Sequence, residues 1–140
     1  MKDAIKPPTR SEFVGTVREA FAFLRGFGFD EVGAPPHRHD DPFQLWFRVD
    51  KRFVVVAGEG HGTMASATLE HEGLELDEIY LVPAAHRPGQ TGKKHQPTQL
   101  TQVREAARRL EQYGADFLGG DVRRFLALAK PLPPYKRPSA

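Results

Sequence analysis

Apolar residues at Phe13, Val17, Ala20, Phe21 and Leu24 recur at helical spacing, widened by Val14 and Phe23, and predict an amphipathic helix. Thr9-Arg-Ser-Glu12 precedes them as a capping box: the Thr9 hydroxyl accepts from the Glu12 amide, and the Glu12 carboxylate reaches back. Ser11 competes as the N-cap. Gly26, after Arg25, supplies the stop. Phe27 to Val32 then alternates as a short strand. Gly33 to Pro42 holds three prolines, which remove donors and restrict their neighbours, so it is a loop.

The period changes at Phe43. From there to Ala57 the chain reads as two strands joined at Asp50-Lys51. That join sets Phe47 opposite Val54, Leu45 opposite Val56 and Phe43 opposite Gly58 on one wholly apolar face. Trp46 opposite Val55, Arg48 opposite Phe53 and Gln44 opposite Ala57 make the other, mixed face. The pattern suits a sheet covered on one side. Asp-Lys is not a preferred two-residue turn, so a longer loop is the alternative.

Gly58-Glu-Gly-His-Gly62 is a turn, and Met64 to His71 is a third strand with Ala65, Ala67 and Leu69 facing the core. Leu74 to Val82 fits a strand ended by Pro83, although Leu-Asp-Glu-Ile-Tyr also fits a helical turn. Ala84 to Pro97 is a long polar loop. Thr98 caps a helix buried along Leu100, Val103, Ala106 or Ala107, and Leu110, continued by Tyr113 and ended at Gly114. After Phe117 and Leu118, Asp121 starts a last helix with Val122, Phe125, Leu126, Leu128 and Ala129 inward, stopped by Pro131. The expected fold is α+β: an antiparallel meander of four to five strands, with the N-terminal helix and two C-terminal helices packed on one face. One domain spans 1–130, and 131–140 is a Pro-rich extended or disordered tail.

Composition narrows the function classes. At 140 residues with 39% hydrophobic and 27% charged side chains, the chain suits one soluble domain with a real core. The absence of cysteine excludes disulfides, thiol nucleophiles and Cys-based zinc sites. No apolar run approaches the roughly 18–20 residues of a membrane span, and Met-Lys-Asp-Ala-Ile-Lys-Pro-Pro lacks a signal-peptide core. A cytoplasmic location is expected. Charge is polarised: residues 1–85 carry 9 Lys and Arg against 14 Asp and Glu, and residues 86–140 carry 11 against 4. Scattered basic residues favour attraction between the two halves within the fold over a nucleic-acid patch.

His37-Arg-His39-Asp40-Asp41 offers imidazole and carboxylate ligands for a divalent metal at His37, His39 and Asp40, with His61, His71, His86 or His95 as completing ligands. A solvated loop explains the same residues, because no rigid helix-borne motif holds them. The Gly58–Gly62 turn lacks the Gly-Lys-Ser/Thr ending and following helix of a phosphate loop. The basic 86–109 region, with Arg104, Arg108 and Arg109, could meet a nucleic acid but has no interleaved aromatics. Pro131-Leu-Pro-Pro-Tyr-Lys136 matches a Pro-x-x-Pro-x-Lys ligand, a pattern common by chance in such tails. The carboxylate pairs are sequence neighbours that diverge on a strand, and no serine sits in a nucleophile elbow.

Phe21-Ala-Phe-Leu24 running into Gly26-Phe-Gly-Phe29, the hairpin Leu45-Trp-Phe-Arg-Val49 with Phe53-Val-Val-Val56, then Leu110-Glu-Gln-Tyr113 and Phe117-Leu-Gly-Gly-Asp121 resemble small uncharacterised bacterial α+β proteins. Some of those sit beside polymorphic toxins and are thought to be immunity proteins. The resemblance implies a protein that binds and blocks a partner, and it carries no catalytic or binding residue. The expectation is therefore a non-catalytic protein-binding module without cofactor, meeting a basic partner through Asp40, Asp41 and other acidic residues. Trp46, Arg48 and Gln44 on the mixed hairpin face are its candidate binding residues. A metal-dependent enzyme and a nucleic-acid binder are the alternatives.

Overall fold

A computed structural model of the chain describes residues 6–38, 41–87 and 97–137. Helix α1 (Arg10–Ala20) starts at the expected capping box: the Glu12 amide donates to Thr9 Oγ1 at 3.1 Å, and the Thr9 amide donates to Glu12 Oε1 at 2.8 Å. It ends earlier than its apolar stripe suggests. A 3₁₀ segment, Ala22–Phe27, carries the stripe on and stops at Gly28, whose φ of 89° is a left-handed cap that glycine adopts freely.

Five strands follow the chain as β1 (Asp30–Val32), β2 (Gln44–Val49), β3 (Arg52–Glu59), β4 (Met64–His71) and β5 (Leu74–Asp77). Helices α2 (Gln99–Tyr113), α3 (Ala115–Leu118) and α4 (Arg123–Leu128) come next, then β6 (Lys130–Pro131). All six strands form one antiparallel meander in chain order. The fold is α+β, with one strand more than the four to five expected.

The added strand is the start of the Pro-rich tail. Leu74 pairs with Pro131 and Glu75 with Lys130, and Leu132 is buried. Proline has no amide to give a ladder, so only an edge position accepts it. The extended tail is thus docked as far as Pro134–Lys136, a short 3₁₀ turn.

The hairpin register is the expected one. Trp46 faces Val55, Phe47 faces Val54 and Arg48 faces Phe53, and the Gly58 amide donates to the Phe43 carbonyl at 2.8 Å. The two-residue turn works without glycine because Asp50 takes a φ of 45° and its carboxylate accepts from the amides of Lys51 and Arg52. Glu72 and Gly73, at φ 49° and 81°, close β4 to β5 with the two positive φ values of a type I′ turn.

Val54, Val56, Ala67 and Leu69 on one sheet face are fully buried in a single cluster with Phe13 and Val17 of α1 and Val103, Ala106 and Leu110 of α2. Each large side chain there is worth about 1.5–3 kcal/mol of burial. Gly58 permits this approach: a Cβ there would lie 2.5 Å from Gln99 Nε2 and 3.0 Å from Phe13 Cε1.

Two expectations change. The strand read as Leu74–Val82 stops at Asp77, whose carboxylate accepts from the Ile79 amide at 3.0 Å and starts the 3₁₀ turn Glu78–Leu81. In α4, Phe125 is buried but Leu126 and Leu128 are 49% and 43% exposed, since a six-residue helix turns only one narrow stripe inward. No helix among the described residues is long and apolar enough to cross a membrane.

Candidate functional site

The mixed face of the hairpin continues across the sheet. Strand parity places Trp46, Val55 and Thr68 in one cross-strand row. Arg48, Phe53, Glu70 and Glu75 form the next row, bounded by Asp30 on β1 and Lys130 on β6. A tryptophan, a phenylalanine and two carboxylates therefore share a face that the main core cluster does not include.

Loop 33–38 brings Arg38 onto this face. Its Nη1 and Nη2 donate to Glu70 Oε1 and Oε2 at 2.8 and 3.0 Å, the bidentate geometry that matches a guanidinium fork to a carboxylate. The same guanidinium lies 4.7 Å from the Trp46 ring centroid, a cation–π distance. Trp46 Nε1 donates to Gln44 Oε1 at 2.9 Å, which satisfies the indole's only polar atom. The Trp46 and Phe53 rings meet edge-on at 5.7 Å, and Arg48 lies 5.5 Å over Phe53 while donating to the Asp50 carbonyl. Trp46 is only 3% exposed and Glu70 only 5%.

At the far edge, Lys136 of the docked tail donates to Glu75 Oε1 at 3.0 Å. Each of the two adjacent carboxylates, Glu70 and Glu75, thus has its own cation, one from the loop and one from the tail.

The expected binding residues divide accordingly. Arg48 and Asp41 are exposed, and Asp41 Oδ1 accepts from the Phe43 amide at 2.8 Å. Gln44 and Trp46 are bonded to each other, and Trp46 lies under Arg38, so the indole presents no open surface in this conformation. Asp40 lies outside the described residues. Of the metal candidates, His39 and Asp40 also lie outside them and His37 is exposed. Among the described residues no group of three His, Asp or Glu side chains is placed to hold a metal ion.

The acidic residues expected to meet a basic partner are largely occupied within the chain. Glu78, almost fully buried, takes Arg109 at 2.6 Å. Burial pushes its carboxyl up to about 7, against the pull of the Arg109 guanidinium. Burial likewise raises the Asp77 carboxyl. The Glu78–Arg109 and Glu75–Lys136 pairs join the acidic half of the chain to the basic half, which is where part of the charge polarity goes. Within the basic region, Arg104 and Arg108 are exposed and 88–96 lies outside the described residues.

Two more arginines act as internal ties that a sequence reading misses, because a charged residue beside a turn reads as surface. Arg52 donates from Nη1 to the carbonyls of Phe117 and Leu118 at 2.6 and 2.8 Å, satisfying the open end of α3. It also holds the Asp50 carboxylate, and that hydrogen bond is the main reason the Asp50 carboxyl falls to about 2. Arg124 bonds Asp116, the Leu81 carbonyl and the Tyr113 carbonyl, locking α4 to the end of α2.

An open cleft of about 480 Å³ lies where α1 and α2 begin, lined by Lys6, Thr9, Glu12, His61, Thr98 and Gln99 among others. Both helix starts are already capped by their own Thr9 and Thr98 hydroxyls. Comparison with family models, curated proteins and solved structures gives no match to the chain.

Proposed function

We propose that the chain is a non-catalytic protein-binding module that engages its partner through the outer sheet face around Arg48 and Phe53, beside the covered Trp46. The observation that supports this reading is the exposed Arg48 lying over Phe53, whose ring meets Trp46 edge-on and stands apart from the main core. Trp and Arg are the side chains most enriched where binding energy concentrates. An immunity-like role, binding and blocking a toxin, is the form of this reading that the resemblance suggests. The acidic residues contribute less than their number implies, since Glu70, Glu75 and Glu78 already have cations.

The reading is tested by affinity capture with purified products of neighbouring genes, comparing the full chain with Arg48→Ala and Phe53→Ala. A partner retained by the native chain and lost from both variants, at unchanged circular dichroism, is the expected result. Equal retention by all three, or no partner, would count against it.

A further inference from the structure

We infer that Trp46 and Glu70 form a receptor for one arginine side chain, filled in cis by Arg38 and open to an arginine that a protein partner supplies. The inference deepens the binding-module reading and rests on it for the partner. Its chemistry is visible in the occupant: a carboxylate that takes both prongs of a guanidinium, at 2.8 and 3.0 Å, beside an indole face at 4.7 Å. Lysine has no planar fork for this pair of contacts. The site is nearly dry, with the Arg38 and Glu70 side chains 9% and 7% exposed, which strengthens both interactions.

The occupant comes from the described part of a Pro-rich loop, Gly33–Arg38. Among the described residues of Gly33–Asp41, the hydrogen bonds that reach beyond the loop and its junction with β2 are those of the Arg38 guanidinium. The other two stay local: the Arg38 amide to the Pro35 carbonyl, and the Phe43 amide to Asp41. An intramolecular ligand carried by a short connecting segment acts at roughly millimolar effective concentration. A free arginine competes poorly with that. A partner that also touches the exposed Arg48 and the half-buried Phe53 gains contacts that Arg38 does not make, and so can take its place.

The test uses the full chain with Arg38→Ala, titrated with the tripeptide Gly-Arg-Gly and, separately, Gly-Lys-Gly, reading the emission of Trp46, the only tryptophan. The expected result is a saturable change with the arginine peptide and none with the lysine peptide. It is absent in the native chain, whose site is filled, and lost in Arg38→Ala/Glu70→Gln. No response to the arginine peptide, an equal response to lysine, or a response that survives Glu70→Gln overturns the receptor. Should Arg38→Ala not fold, Arg38→Gln keeps side-chain length without the charge that fills the site, and the same outcomes apply to it. A failed titration beside a partner whose capture depends on Arg48 and Phe53 overturns the receptor alone and leaves the module standing.

Discussion

The two faces of the central strands are covered to different extents and by different means, the inner face fully and the outer face in part. On the inner face Val54, Val56 and Leu69 meet the stripes of α1 and α2, an apolar contact spread over many side chains and indifferent to direction. On the outer face Trp46 lies under one guanidinium that is aimed at one carboxylate. Distributed burial cannot be undone at a single point. A directed tie can, and the receptor inferred for Trp46 and Glu70 rests on that difference.

The largest effect should come from the inner face. Leu69→Ala, at a fully buried position, is expected to lower unfolding free energy by about 2–5 kcal/mol in a urea titration. A loss below about 1 kcal/mol would mean that the core is not continuous across β4. Arg52→Ala comes next, at about 2–3 kcal/mol, because it strands the Phe117 and Leu118 carbonyls.

Glu78 adds a pH signature beneath α2. Its carboxyl lies near 7 in the folded chain against an ordinary 4.5, so the folded state holds a proton that the unfolded state has released. That contribution is full below 4.5 and is lost as pH rises through 7, by about 3 kcal/mol. Denaturation series between pH 5 and 8 should show this fall in the native chain and a flatter profile in Glu78→Gln. Asp50 has the opposite sign: its carboxyl, held down by Arg52, contributes above 3.8 and is lost as pH falls through about 2.

On the outer face the effects should be smaller. Arg38→Ala is expected to cost about 1–2 kcal/mol, less than the 3–5 kcal/mol of a broken buried pair, because loss of the long Arg38 side chain admits water to Glu70. Lys136→Ala should cost below about 1 kcal/mol, since both partners of that pair are partly exposed. Both are read from chemical denaturation, and a cost for Lys136→Ala equal to that of Leu69→Ala would erase the distinction between the faces.

Much of the inner face could be read from the residues alone. Alternation between Phe43 and Ala57 is regular enough that the register follows once Asp50-Lys51 is taken as the turn, and the α1 capping box is local. The misses come from distance and from proline. Strand β6 is two residues long, contains Pro131 and pairs with a segment more than fifty residues earlier, so no local pattern marks it. Arg109 and Glu78 are 31 positions apart, and Arg38 and Glu70 are 32 apart. Parity does place Trp46 and Glu70 on one face. Which cation answers a buried carboxylate depends on where a Pro-rich loop returns, and no periodicity carries that. The same gap explains Leu126 and Leu128, read as inward from apolarity when only Phe125 of that short helix faces the core.

Collisional quenching of Trp46 by acrylamide, in the native chain and in Arg38→Ala under native conditions, reports whether Arg38 shields the indole. If one arginine holds the cover of the outer face, Trp46 is protected in the native chain and becomes accessible in the variant, while cooperative unfolding is retained. Equal protection of Trp46 in both proteins would show that the cover does not depend on Arg38, and would contradict the account.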